Sequence, residues 1–105
     1  AGVNENIANI LMAAKFGIPV CPHAGGVGLC ELVQHLAMFD AVAVTGHHPD
    51  RVVEFVDHLH EHFVVPTNIR NAHYMPPTEP GTGGEMFAQS IADYTFPTGK
   101  EWINA

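Results

Sequence analysis

The chain has 105 residues, room for at most one small domain, and its 47% hydrophobic content fits a globular chain and excludes a disordered one. Eleven acidic residues against four Lys and Arg leave no basic stripe for phosphates, so nucleic-acid binding is excluded. No apolar run approaches the ~18–20 residues of a membrane span and no signal peptide is visible, so a soluble chain without membrane attachment is expected.

In chain order, Ile7, Ile10, Leu11, Ala14 and Phe16 recur at helical spacing, with Asn4 as the expected N-cap and Gly17 as the C-terminal stop. Ile18-Pro19-Val20-Cys21 reads as a short apolar strand covered on both faces. Leu29, Leu32, Val33, Leu36 and Ala37 give a second helix ending near Phe39-Asp40, and Ala41-Val42-Ala43-Val44-Thr45 a second apolar strand. Arg51 to Val56 is β-rich, and Asp57 to His62 is a helical turn or a strand exit. From Val65 prolines and glycines dominate. Extended pieces are expected at 68–70 and 73–75, and one helical turn at 90–94. Helix, strand, helix, strand with short connections is α/β architecture. Two parallel strands cannot close a sheet, so the chain, which lacks an initiator Met, is expected to belong to a larger α/β protein.

Cys21 and Cys30 lie nine residues apart, and two buried reduced thiols are favoured over a disulfide. A reducing compartment follows, cytoplasmic or, in a eukaryote, mitochondrial.

His23 carries the chemistry most plainly. It ends the first strand after Pro22 and opens through Gly25-Gly26-Val27-Gly28 into the second helix, where α/β proteins place their sites. A histidine there is either a hydrogen-bonded structural residue or a general acid or base, and as a catalyst it needs an orienting carboxylate that is not nearby in sequence. Gly25 and Gly26 form either a plain tight turn or a cradle for a carboxylate or oxyanion. The run matches neither a Walker nor a dinucleotide fingerprint. Glu54, among Val52, Val53, Phe55 and Val56, is a strand-end ion-pair residue or a functional carboxylate. Beside His23, such apolar company would raise its pKa enough to hold a proton. His58, His60 and His62, with Asp57 and Glu61, suggest either a metal site or a solvated segment. Glu31 and His35 read as ordinary i, i+4 helix pairing. His47 and His48 read as exposed loop residues.

Three stretches resemble a known family: Gly2 to Asn6, Pro22 to Leu36, and Glu54 to Phe63, with Tyr74-Met75-Pro76-Pro77 and Pro80-Gly81 in the tail. They are similar to the C-terminal part of the L-fuconate dehydratases, in the mandelate racemase-like branch of the enolase superfamily. The resemblance implies a (β/α)7β TIM-like barrel capped by an α+β domain. Residues 1–64 would supply the last barrel strands and helices, and residues 65–105 an extended tail returning to the capping domain. It also implies an acid-sugar substrate that loses the proton α to its carboxylate to a Lys base, with Mg2+ stabilising the enediolate. His23 would then be the general acid for the departing β-hydroxyl, Glu54 a carboxylate stabilising the intermediate, and Gly25 and Gly26 substrate-binding positions. The Lys, the Mg2+ ligands and an Asp partner for His23 have no counterpart in this chain, so no metal ligand is assigned and the chain alone is expected to be inactive. Its partners would be the rest of the barrel, the capping domain and the small acid sugar, with homo-oligomerisation left open. The alternatives are another acid-sugar dehydratase on the same scaffold, or a non-catalytic His-rich binding module.

Overall fold

A computed structural model describes residues 2–46 and 51–103. The expected loop histidines His47 and His48 lie outside the described residues. Helix α1 spans Val3–Lys15. It starts earlier than Asn4 would set it, because Glu5 reaches back to accept from the Gly2 amide at 3.0 Å and makes Gly2 the cap. It ends as expected: Gly17 turns left-handed at φ 66°, and Ile18 and Gly17 donate back to Ala13 and Ala14, closing the last turn.

Helix α2 spans Leu29–Phe39, and its N-cap Gly28 sits at φ 73°. The expected strand at Ala41–Thr45 is instead a wide-turned helical continuation, Asp40–Thr45, stopped by left-handed Gly46. Two contacts hold it helical. The buried Asp40 carboxylate pairs with Arg51 Nε at 3.1 Å, and Thr45 Oγ1 donates to Asp40 O at 3.0 Å. Ala41 and Ala43 offer no resistance to helix, and short alternation of Val and Ala does not distinguish the two periods.

The expected strands at 18–21 and 51–56 are not strands: neither segment forms a regular element, and among the described residues they form no sheet ladder. One backbone bond joins the two runs, Glu54 N to Pro22 O at 3.2 Å. Pro19 and Pro22 have no amide to donate, and an apolar parallel strand needs neighbours on both sides. Beyond them, left-handed Leu59 (φ 63°) leads into a single 3-10 turn, His60–His62.

The tail follows expectation more closely. Strands β1 (Asn68–Arg70) and β2 (His73–Met75) pair antiparallel, Ile69 opposite Tyr74, through a two-residue turn in which Asn71 and Ala72 both have positive φ. Helix α3 spans Ala88–Tyr94 and helix α4 Lys100–Ile103. The tail packs back on the chain's own helices and turns. His35 Nε2 donates to Thr82 O at 2.9 Å, and the segment around Phe63 bridges Met86 antiparallel.

The core is small: Ala24, Cys30 and Val33 are buried, with Leu36, Val53 and Tyr74 packed against them. Cys30 is as expected, but Cys21 is exposed, and both thiols are free. The radius of gyration is 16.0 Å, against about 13 Å for a compact chain of this length. Phe16, Ile18 and Val52 remain more than half exposed. Ile18 and Val52 lie on the segments expected as strands and Phe16 at the end of α1 beside them, an apolar surface of the kind that more protein covers.

Candidate active site

The turn after Pro22 and the run through Glu54 lie side by side, and the backbone bond from Glu54 N to Pro22 O sets their register. That register brings His23 and Glu54, 31 positions apart in the chain's own numbering, into contact: His23 Nδ1 donates to Glu54 Oε2 at 2.5 Å. The same carboxylate oxygen accepts from the Ala24 amide at 2.6 Å. The anion held by the glycine turn is therefore the chain's own Glu54. A carboxylate that is not near His23 in sequence thus reaches its ring across the fold. With Nδ1 engaged, Nε2 is the ring atom left to face outward, and the His23 side chain is 77% exposed.

The expected upward shift of Glu54 is reversed. The Ala24 amide, with His23 behind it, holds the carboxyl below its ordinary value despite partial desolvation. Glu54 is an ionised acceptor in this setting, not a carboxylic acid.

Gly25 lies directly against the His23 ring, so close that a Cβ there would sit 2.5 Å from Cε1 and 3.0 Å from Nε2. Gly26 is similarly close to the Leu29 side chain. Gly28 needs both its left-handed φ and the absence of a side chain, because the Phe63 ring fills the space.

A second polar cluster lies behind the first. Glu31 is buried at 1% exposure and pairs not with His35 but with His60, whose Nδ1 donates to Glu31 Oε1 at 2.6 Å. His60 Nε2 donates to Val56 O at 2.9 Å, and the Thr67 amide donates to Glu31 Oε1 at 3.2 Å. Burial pushes Glu31 up, but the His60 ring and the backbone amides outweigh it and hold the carboxyl below its ordinary value. Burial likewise opposes charge on His60, and the Glu31 bond outweighs it, so the imidazole is raised. Phe55 stacks on the His60 ring at 5.4 Å and 3°, and Tyr74 meets Phe55 edge-on. The Tyr74 hydroxyl donates to Glu54 O, and burial pushes that hydroxyl up, which keeps it a donor.

The three clustered histidines therefore diverge. His60 turns to Glu31, and His62 Nδ1 shares a hydrogen bond with Ser90 Oγ at 3.0 Å. No group of three or more His, Cys, Asp or Glu side chains suited to a cation forms among the described residues. The two carboxylates nearest the site do not fit Mg2+ either. Glu54 is committed to an amide and an imidazole, and Glu31 is enclosed by an imidazolium and an amide. No step below is derived through a metal. No helix of the described residues is long and apolar enough to cross a membrane.

Sequence reasoning missed Glu31, His60 and Tyr74. Each is joined to its partner across 20 or more positions, a separation that local periodicity does not encode. The one available signal was a glutamate among the apolar residues of helix α2, where a buried carboxylate must find hydrogen-bond partners.

A family model described as Enolase C-terminal domain-like matches residues 1–90. Mitochondrial enolase superfamily member 1 from Xenopus laevis is 58% identical over 100 residues, 95% of this chain and 22% of that protein. L-galactonate dehydratase from Hypocrea jecorina is 50% identical over 103 residues, 98% of this chain and 22% of that protein. The crystal structure of human mitochondrial enolase superfamily member 1 superposes with a TM-score of 0.93 at 55% identity, over 98% of this chain and 23% of that one. The chain thus spans under a quarter of the length of these relatives, and it keeps their fold over that span.

Proposed function

This chain belongs to the enolase C-terminal domain-like family, and from that premise we propose that it carries the general acid of an acid-sugar dehydratase. The observation that carries the proposal is the His23–Glu54 contact at 2.5 Å. A carboxylate accepting from Nδ1 orients the ring and leaves Nε2 as the nitrogen aimed away from the protein, so that the doubly protonated ring presents an Nε2–H to a substrate. In the reaction, a base outside this chain removes the proton α to the substrate carboxylate. The bond from the β-carbon to its hydroxyl then breaks, its electron pair leaves with the oxygen, and the Nε2 proton of His23 completes a water molecule. The enol that remains becomes the 2-keto-3-deoxy acid.

Glu54 takes a different part from the one the resemblance implied. As a carboxylate it would repel a developing enediolate, so it acts through His23, as a residue that orients the ring. Gly25 leaves that ring free of a neighbouring side chain, and Gly26 leaves room for Leu29 at the start of the helix. Residues 1–64 supply the closing barrel units and residues 65–105 the tail toward the capping domain. Mg2+, where it takes part, is held by residues outside this chain. L-fuconate and L-galactonate are the substrates of choice for a first test, the latter from the name of a relative. The compartment is the cytoplasm or the mitochondrion, the latter from the name of a relative.

The test is a chimera in which this chain replaces the matching segment of the Hypocrea jecorina enzyme. It should dehydrate L-galactonate, and His23→Asn should lower turnover by about 10²–10⁴-fold. A folded chimera that is inactive, or a His23→Asn variant with undiminished turnover, would overturn the proposal.

A further inference from the structure

The proposed acid sits on a turn, and the contacts that set the backbone of that turn lead to the tail. We propose that Tyr74, on the tail hairpin, is a positioning residue for His23: it holds the backbone of Glu54 against the turn from behind, so that docking of the tail sets where the acid stands.

The two residues beside His23 are both tied to Glu54. Pro22 O accepts from the Glu54 amide at 3.2 Å, and the Ala24 amide donates to the Glu54 carboxylate at 2.6 Å. The backbone of the turn is thus set, before and after His23, by one residue across the fold. That holds whichever group pairs with the imidazole, a carboxylate from outside this chain included. Glu54 in turn is fixed by the Tyr74 hydroxyl, which donates to its carbonyl. The Tyr74 ring stands edge-on to Phe55 at 6.0 Å and packs on the core of Ala24, Cys30 and Val33. Ala24 follows His23 directly and is fully buried, so a shift of that core is passed to the acid.

The tail is pinned to α2 on both sides of the hairpin that carries Tyr74. Before β1, the Thr67 amide donates to Glu31 Oε1 at 3.2 Å, and after β2, Thr82 O accepts from His35 Nε2 at 2.9 Å. Ile69 pairs with Tyr74 across the two strands, and the tight turn at Asn71-Ala72 fixes their register. A hairpin held at both ends and by its own register delivers one hydroxyl to one carbonyl. Burial pushes that hydroxyl up, so it remains a donor. A displacement of about 1 Å at a reacting group costs on the order of 10²-fold in rate, so a contact that fixes the turn has functional weight.

The inference rests on the general-acid reading of His23, and a double-mutant cycle in the full-length chimera separates the two. Tyr74→Phe keeps the ring and its packing and removes only the hydroxyl. It should lower kcat by about 10-fold with KM changed less than about 2-fold, because no substrate contact is lost. In a His23→Asn background the same change should cost less than about 2-fold, because the group through which it acts is already gone. His35→Ala, which frees the tail at Thr82, should lower kcat in the same direction by less. Parent-like kcat with Tyr74→Phe overturns the inference. An equal loss in both backgrounds overturns it too, since the effect then does not pass through His23. A chimera that fails to fold with Tyr74→Phe has the same force, because the hydroxyl then holds structure and not the acid. Parent-like kcat with His35→Ala overturns the part given to tail docking. If His23→Asn alone leaves the chimera fully active, the general-acid reading fails and the inference falls with it.

Discussion

Gly25→Ala separates the geometry of the proposed acid from the stability of the fold. Gly25 is not in the left-handed region, so the backbone accepts alanine there. The added Cβ would stand 2.5 Å from His23 Cε1 and 3.0 Å from Nε2. Carbon–carbon contacts are comfortable at about 3.5–4.0 Å, so the ring must retreat by about 1 Å or more. It has nothing to retreat into except solvent, since it is 77% exposed. The Nδ1–Oε2 contact, 2.5 Å in the parent, then stretches out of hydrogen-bonding range. Because the ring is the movable end of an exposed side chain, the fold loses little, and alanine stiffens the unfolded chain by about 0.4–1 kcal/mol in compensation. Turnover in the chimera should therefore fall by about 10²-fold while the urea midpoint stays near the parent's. The assay pairs steady-state kinetics with denaturant unfolding. Parent-like kcat with the alanine in place would refute the role assigned to this glycine and to the contact beneath it.

The Glu31–His60 pair gives a pH signature. Glu31 is depressed below its ordinary 4.5, so its contribution is present above that pH and fades as pH falls through the folded value. His60 is raised above its ordinary 6.5, so its contribution is complete below that pH and fades as pH rises through the folded value. The stability difference between the parent and His60→Gln should peak between pH 4.5 and 6.5 and narrow on both sides. Its size should be about 2–4 kcal/mol, toward the buried-pair range because the ring is only 18% exposed. A difference that does not vary from pH 4 to 9 would contradict the ion pair. Gly28→Ala must force a left-handed φ of 73° on alanine and press Cβ to 3.0 Å from Phe63, so a loss of about 2 kcal/mol is expected in urea melts. A loss under ~0.5 kcal/mol would count against that account of the helix start. Thiol titration should find Cys21 reactive in the native chain and Cys30, which is 2% exposed, only after denaturation. Equal rates would mean that Cys30 is not where the core places it.

Local rules made the helices at 3–15 and 29–39, the hairpin strands and the helix at 88–94 legible, because periodicity, glycine stops and turn residues act within a few positions, while the short helix at 100–103 was not anticipated. They failed at Ala41–Thr45, where a buried Asp40–Arg51 pair and a threonine turn bond outweigh a weak strand preference. They failed too at 18–21 and 51–56, which among the described residues lack the ladder that would make them strands. In the candidate site, His23, Glu54 and the glycines stood out by type and setting. Their contact did not, since it depends on a register between segments 31 positions apart. The Glu31–His60 pair was hidden for the same reason, and a charge that looks solvated in sequence proved to be the most buried side chain of α2.

The central claim is that His23 delivers a proton to a departing hydroxyl, and leaving-group rescue tests it most directly. In the chimera, His23→Asn should slow dehydration of the natural β-hydroxy acid by about 10²–10⁴-fold. A substrate with fluoride in place of that hydroxyl leaves without full protonation, so the same variant should eliminate it at close to the parent's rate. An equal loss on both substrates would contradict the assignment and place His23 in binding or in the proton-abstraction step instead.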